Sequence, residues 1–531
     1  MKENAAPTLG GPGILPGTRA EGAGPKLDLP VLIGLCSFKL LLHLFTNGKY
    51  GYFRDELYYL ICGRHLAWGY VDQAPLIALI ARIELLFGSS LHVIRFLPAV
   101  AGAALIALTI LIVHELGGGT FAQALAGLCV LIAPIYLVFC DFLSMNVFEP
   151  LFWMGCIYLL LRIIKTHNSR LWLWFGVLAG LGIENKHSAV FFGAAVMIGL
   201  LLTKERKHFL NPWLWAGLLL AFLIALPNLL WQIQHRFPTY ELLQNIKQSD
   251  KNRVLGPVAY LFQQILLLNP LAFVVWGAGL GYFFFHPKGS RYRVVGIAYL
   301  ALFAIFVLMK GKNYYLAPIY AYLIAGGAVL WEEWMGRLGS LPLRRTAQAA
   351  AFSLLAVSGV VFAPLFLPVC SPQHLIQYEH TIHFEPPKSE THHIGALPQY
   401  FGDQFGWEEM TATVARIYRS LPPEERKKTG IFANNYGEAS ALNFFGPRYG
   451  LPPAISGHQN YFFWGPQGFT GEELIVLQDS RHSLEEKCNS VEEAAVLYHP
   501  FAMAEENGPV YICRGLKWNL QAIWPKLKKW H

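Results

Sequence analysis

Apolar residues along this chain gather in long runs separated by short polar stretches. Eleven such runs recur, at about 30–46, 93–113, 121–139, 144–163, 171–185, 188–203, 212–231, 257–285, 294–309, 314–331 and 347–368. Most are near the ~20 residues that an α-helix needs to cross the hydrocarbon of a bilayer. The pattern predicts an all-α polytopic membrane domain of about 11 transmembrane helices. The runs at 171–185 and 188–203 are short and are parted by Glu184-Asn-Lys-His187, so they read as one kinked hairpin or as two short spans. Between the first two runs, Leu57, Leu60, Ile61 and Trp68 recur at helical spacing, which suits a helix lying flat on the membrane.

Beyond residue 370 the pattern turns polar and is punctuated by Pro and Gly. Helix-like stretches cover 406–420 and Glu438 to Phe445, and strand-like runs cover 430–433, 474–477 and 510–513. A soluble α/β domain is expected over 370–531. At the other end, residues 1–27 are rich in Gly, Pro and Ala and have no apolar core. They read as a disordered tail rather than a signal peptide, and the run at 30–46 as an uncleaved span. The expected organisation is thus a cytoplasmic tail at 1–27, a transmembrane domain at 28–369 and an extracytoplasmic domain at 370–531. No internal repeat is visible.

Composition agrees. Charged residues make up 14% and hydrophobic residues 54%, with a mean hydropathy of +0.37. A soluble domain carries about 25% charged residues. The formal charge of +8 comes without any basic run interleaved with aromatics, which argues against nucleic acid. Lys and Arg instead mark an orientation. The loops at 162–170, 204–208, 286–293 and 332–346 are basic and fall on one side if the span count holds, which makes that side cytoplasmic and puts the tail from about 370 outside. The opposite side is not free of cations: Arg54, Arg64, Arg82, Lys186, Lys247, Lys251, Arg253, Lys310 and Lys312 lie there. Of the eight cysteines, none forms a CxxC pair or a zinc spacing, and a Cys488–Cys513 disulfide is open to a tail outside the cytoplasm.

Several polar residues invite a chemical reading beside a plain structural one. Asp55 and Glu56 open the helix-like stretch in the first large loop; acids are favoured in any first helical turn, yet a carboxylate in reach of a hydroxyl is also what a general base requires. Asp141 and Glu149 flank a later turn, and a charge within an apolar run, as at Glu149, is costly enough to suggest function or a partner on a neighbouring helix. Lys186 and His187, and the stretch Lys310-Gly-Lys-Asn-Tyr-Tyr315, read as snorkelling cations or as a site for a lipid phosphate. Gln232, Gln234, His235 and Arg236 suit a polar ligand and an ordinary interfacial loop equally. His392-His393 has no partner spacing that argues for a metal, and no nucleotide fingerprint is present.

Taken together, Phe53-Arg-Asp-Glu-Leu-Tyr-Tyr59, Gly69-Tyr-Val-Asp-Gln-Ala-Pro-Leu76, Asn146 to Trp153, Gly180 to Lys186, Pro227 to Pro238 and Gly311 to Pro318 resemble bacterial glycosyltransferases of family 39, the dolichyl-phosphate-mannose protein mannosyltransferase type with the GT-C fold. The resemblance covers most of 30–370. The tail, with Trp407-Glu-Glu-Met410 and Asn435-Tyr-Gly-Glu438, is similar to tails of uncharacterised bacterial members. The resemblance implies an inverting transfer of a sugar from a polyprenyl-phosphate donor to an acceptor hydroxyl on a protein, lipid or envelope glycan, at the outer face of a bacterial inner membrane. It implies Asp55 as the catalytic acid–base position, with Glu56 completing the acidic pair and Glu149 as a looser match to a second family acid. Lys186, His187, Lys310, Lys312, Tyr314 and Tyr315 would then hold the donor phosphate, and Arg54, Asp72, Asp141, His235 and Arg236 would form the substrate loop. No cofactor and no metal is expected. Two rivals stand beside it: a transporter or lipid flippase, which would need inverted repeats around a midplane site, and a non-catalytic envelope-assembly protein.

Overall fold

The computed structural model describes residues 25–249, 253–384 and 395–531. Nearly all of the expected tail at 1–27 lies outside the described residues, as do Lys251 and His392-His393.

Each apolar run forms a helix or a pair of helices. Among the described residues seven are long and apolar enough to cross a membrane: Leu29–Thr46, Leu91–Glu115, Met145–Thr166, Pro212–Gln234, Gly289–Leu308, Asn313–Gly336 and Leu341–Phe366. The expected run at 257–285 is a pair, Pro257–Leu267 and Pro270–Phe285, bent by 106°. The bend sits at Asn269, whose backbone is left-handed with φ of 73°. Its side chain accepts from the Leu271 N–H at 3.1 Å and donates to Ser358 Oγ at 3.0 Å, so the freed backbone is satisfied inside the bundle. Thr120–Ile132, Leu171–Asn185 and Ala189–Leu201 are shorter than a full span. The stretch at 171–203 is thus two helices, parted where Lys186 turns extended. The expected run at 121–139 breaks at Pro134, where a proline cannot continue the helical ladder. The chain is a multi-pass membrane protein, and side chains such as Leu219, Phe222, Val357 and Val360 present the apolar surface that lipid would cover.

Helices approach closely where glycine allows it. Gly176 and Gly217 lie where a Cβ would run into the backbone of the facing helix, and Gly279 and Gly327 do the same between Phe273–Phe285 and Asn313–Gly336. Small residues at such crossings let transmembrane backbones pack, because lipid offers no hydrophobic drive between helices.

The C-terminal region folds on a five-stranded sheet of β1 (Thr429–Phe432), β2 (Ala454–Ile455), β3 (Glu473–Leu477), β4 (Cys488–Leu497) and β5 (Gly508–Leu516) in the order β2-β1-β3-β5-β4. The first three are parallel and β5 and β4 are antiparallel. A disulfide joins Cys488 and Cys513 across β4 and β5. One face of this sheet does not close on itself. Ile431, Ile475 and Val510 share a single apolar cluster with Leu57, Leu60 and Ile61 of the first large loop. This corrects the expectation of a flat interfacial helix at 54–68. The helix Arg54–Arg64 is wedged under the C-terminal domain with Leu57, Leu60 and Ile61 buried. The following helix, Leu76–Phe87, is the one that leaves Leu79, Ile83, Leu86 and Phe87 exposed. At the end of the chain Trp530 packs with Val71 and Leu242, and Lys528 pairs with Glu241 at 2.5 Å.

A buried ion pair fixes the loop that carries Asp55. Glu56 and Arg95 both have fully buried side chains and meet at 2.9 Å. Glu56 also accepts from the Phe53 N–H at 3.0 Å and the Leu143 N–H at 2.8 Å, while Arg95 donates to Asn47 O at 2.9 Å and Gly51 O at 2.7 Å. Removing one member of a buried pair strands the other charge, at a cost of about 3–5 kcal/mol. Arg95→Met is therefore expected to lower the thermal unfolding midpoint of detergent-solubilised protein sharply. The double variant Glu56→Gln/Arg95→Met is expected to lose less, because no bare charge remains.

Candidate active site

Where the C-terminal domain meets the bundle, the structure encloses a cavity of about 800 Å³. Its walls come mainly from four places: Phe53, Arg54 and Asp55 of the first loop; the stretch from Pro134 to Asn146; Lys312, Asn313 and Tyr314; and the C-terminal region, with Glu379, His380, Tyr400 and Tyr436.

Asp55 is half-buried at the second position of helix Arg54–Arg64, where the helix dipole favours a negative charge. Its Oδ1 accepts a hydrogen bond from the Tyr436 hydroxyl at 2.6 Å. Arg54 reaches the other way. Its guanidinium pairs with Asp403 at 3.2 Å and lies 3.6 Å from Glu506. Glu56, one residue further round the helix, faces the core and its Arg95 partner and does not line the cavity. The expected acidic pair is thus divided: one carboxylate opens to the cavity and the other is spent on structure.

The remaining expected residues separate in the same way. Glu149 and Lys186 form a partly buried ion pair at 2.9 Å; Lys186 also donates to Asn146 Oδ1 at 2.9 Å, and Ser188 bonds the other Glu149 oxygen. The Lys186 ammonium lies over the Tyr315 ring at 4.8 Å. His187 meets Asn228 at 3.0 Å. None of Glu149, Lys186, His187 and Tyr315 lines the cavity, whereas Lys312 and Tyr314 do. Lys310 is exposed with a left-handed backbone and does not line the cavity. Asp72 accepts from the Tyr58 hydroxyl at 3.0 Å, behind Asp55. Asp141 is buried next to the Gln404 amide at 3.4 Å. His235 stacks on Trp231 at 4.1 Å and Arg236 is exposed, so the expected substrate loop is not one surface: of its members only Arg54 reaches the cavity. Among the described residues no group of three or more His, Cys, Asp or Glu side chains is placed to hold a metal ion.

Sequence reading missed the contribution of the C-terminal region: Glu379, His380, Asp403 and Tyr436. The stretch Asn435-Tyr-Gly-Glu438 does carry a local signal, since Asn435 caps the helix Tyr436–Phe445 and accepts from the Glu438 N–H at 3.0 Å. Nothing local shows that the first residue of that helix meets an aspartate 381 positions away. Burial and the Asp55 charge hold the Tyr436 phenol well above its ordinary range, so it stays a donor. Burial also pushes the Glu506 carboxyl up to about 7, against the pull of Arg54.

Residues 72–231 match the family model described as dolichyl-phosphate-mannose-protein mannosyltransferase. The fold is similar to that of ArnT from Cupriavidus metallidurans bound to undecaprenyl phosphate, with a TM-score of 0.58 and 14% identity over 91% of this chain and 98% of that one. The apo state of the same protein gives 0.58 and 13%, over 91% and 97%. Arabinofuranosyltransferase AftD from Mycobacteria gives 0.52 and 12%, over 93% of this chain and 42% of its own. The chain has the ArnT-like GT-C fold, as its sequence resemblance implied. No curated protein matches it.

The raised Glu506 carboxyl has a consequence for stability. An acid whose folded value lies above its unfolded one stabilises the fold below the unfolded value, and that contribution is lost as pH rises through the folded value. The window here runs from 4.5 to about 7. Thermal unfolding midpoints measured across it are expected to fall more steeply in the wild type than in Glu506→Gln. The difference should be on the order of 2 kcal/mol or less, given the opposing Arg54 charge.

Proposed function

We propose that this chain is an inverting glycosyltransferase that moves a sugar from a polyprenyl-phosphate carrier to an acceptor hydroxyl. The observation that carries the reading is the cavity itself, which joins a half-buried carboxylate, Asp55, to the cations Arg54 and Lys312 along an apolar wall of Pro134, Ile135, Val138 and Phe139. A lipid-linked sugar phosphate needs that combination: an apolar path for the chain, positive charge for the phosphate and a base for the incoming hydroxyl. The likeness to a protein solved with undecaprenyl phosphate supports the donor class.

In this mechanism Asp55 takes the proton of the acceptor hydroxyl as its oxygen attacks the anomeric carbon. The bond from that carbon to the phosphate oxygen breaks, and the lipid phosphate leaves with the electron pair. A single displacement inverts the anomeric centre. Lys312 offsets the charge gathering on the phosphate, with Tyr314 beside it as a hydroxyl donor. Arg54 is held by Asp403 and Glu506 and sets the loop as much as the charge. Glu56 and the Glu149–Lys186 pair position the walls. The C-terminal domain is assigned to the outer face of a bacterial inner membrane, a reading supported by the basic loops at the other end of the bundle and by the Cys488–Cys513 disulfide, a bond at home in an oxidising compartment. A transporter would place its polar site near the middle of the bundle between inverted repeats; here the cavity lies at one end, under the C-terminal domain.

Purified protein in liposomes, supplied with undecaprenyl-phosphoryl sugars and an envelope extract as acceptor, tests the assignment. Asp55→Asn is expected to lower the rate by about 10²–10⁴-fold, the usual contribution of a general base. Lys312→Met is expected to raise KM for the lipid donor while leaving the thermal midpoint in place. Wild-type transfer rates in Asp55→Asn would remove the catalytic assignment, and lipid movement across the bilayer without sugar transfer would favour the transporter.

A further inference from the structure

The hydrogen bond from Tyr436 to Asp55 crosses from the C-terminal domain into the membrane-side loop. At 2.6 Å it has the length of a charge-assisted bond between a hydroxyl and a carboxylate. No other hydrogen bond reaches the Asp55 carboxylate among the described residues. The phenol itself is held on several sides. Its ring stands 4.9 Å from Tyr58 and 5.2 Å from His458, and the Arg54 guanidinium lies 5.8 Å from its centre. Its backbone N–H donates to His458 Nδ1 at 3.2 Å, which leaves a neutral His458 ring with its proton on Nε2, facing the His531 carbonyl at 3.4 Å. Gly437 follows because a Cβ there would meet the Arg54 side chain at 2.6 Å. The whole Asn435-Tyr-Gly-Glu438 turn is thus shaped to bring one hydroxyl to one carboxylate oxygen.

We propose that Tyr436 is a positioning residue: the C-terminal domain grips Asp55 by Oδ1 so that Oδ2 faces the acceptor hydroxyl. The proposal rests on the reading of Asp55 as the base. A carboxylate on a short side chain turns about its last bond, and a single strong donor fixes its plane. A neutral phenol does this without cancelling the charge, whereas an arginine in the same place would pair with it. The proton of the acceptor still travels to Asp55, and Tyr436 keeps its own. The domain therefore belongs to the site, and its docking sets the geometry of the base.

Full-length Tyr436→Phe, Asp55→Asn and the double variant in liposomes test this. For the undecaprenyl-phosphoryl sugar that the wild type consumes, Tyr436→Phe is expected to lower kcat by about 10–100-fold, the cost of a misplaced catalytic group. Binding of undecaprenyl phosphate, read by native mass spectrometry, and the thermal midpoint are expected to stay unchanged. The substitution should add nothing on the Asp55→Asn background. An arm that needs no substrate reads carbodiimide labelling of Asp55 by peptide mass spectrometry at one fixed pH. Labelling is expected to be several-fold faster in Tyr436→Phe, with Glu379 labelling unchanged as the internal control. Asn435→Ala, which weakens the cap of the same helix, is expected to shift both readouts the same way and by less, and it decides the matter if Tyr436→Phe does not fold. Unchanged kcat and unchanged labelling in a folded variant overturn the proposal and leave Asp55 as the base. Joint loss of kcat, lipid binding and thermal midpoint marks Tyr436 as merely structural and also overturns it. A fully active Asp55→Asn overturns the underlying reading instead.

Discussion

The buried pair between Glu56 and Arg95 is the constraint on which the arrangement of this site depends. Two charges without solvent are costly to hold, and they persist only where every lone pair and N–H has a partner. Here the partners are backbone groups of Phe53 at the head of the loop helix, Leu143 in the turn before Met145–Thr166, and Asn47 and Gly51 just after the first helix, together with the Gln404 side chain of the C-terminal region at 3.4 Å. The pair therefore fixes where the first loop, the start of the second long helix and the later turn sit relative to one another. Asp55 is the neighbour of Glu56 in sequence. Residues adjacent on a helix point about 100° apart, since a turn holds 3.6 residues. With Glu56 locked into the core, Asp55 has one direction left, toward the cavity.

The same logic runs through the rest of the polar network. Glu149 and Lys186 neutralise each other within the bundle, with Asn146 and Ser188 closing the remaining valences. Arg54 is held by Asp403 and Glu506, both supplied by the C-terminal region. That region is also tied down by its last residues: Trp530 packs on Val71 and Leu242, and Asn245 donates to the Trp530 carbonyl at 2.7 Å. The β-sheet shares its core with the loop helix, so the cavity wall on that side packs directly on the sheet behind it.

The membrane half of the fold was legible because bilayer thickness imposes a length on apolar runs, and every run became helix. The breaks were harder to see. Pro134 breaks a run that reads as one span, and at the bend Asn269 bonds Ser358, which lies 89 positions later. The α/β character of the tail showed in alternating apolar stretches. Its union with the first loop did not, because Leu57, Leu60 and Ile61 at helical spacing look alike whether lipid or a protein sheet covers them. Asp55 was found through its motif. Glu56 was grouped with it because two adjacent acids look equivalent in sequence; the difference is made by Arg95, 39 positions away. The surroundings of Lys186 are likewise set by a remote partner, since Glu149 comes to it from another helix. In each case the partner that decides the residue's surroundings is remote in sequence.

The contrast between Asp55 and the other buried acids then bears on chemistry. Glu56, Glu149 and Asp403 each face a cation at 3.2 Å or less. Asp55 faces a phenol. A carboxylate paired with a cation is well held, but its charge is already engaged. A carboxylate held by a neutral donor is oriented while its charge remains available to an incoming hydroxyl. On the proposed reading three acids around the site, Glu56, Glu149 and Asp403, are neutralised by Arg95, Lys186 and Arg54, while Asp55 is aimed by a tyrosine. Arg54, its immediate neighbour in the chain, directs its close ion pairs to Asp403 and Glu506, although its charge also interacts with Asp55.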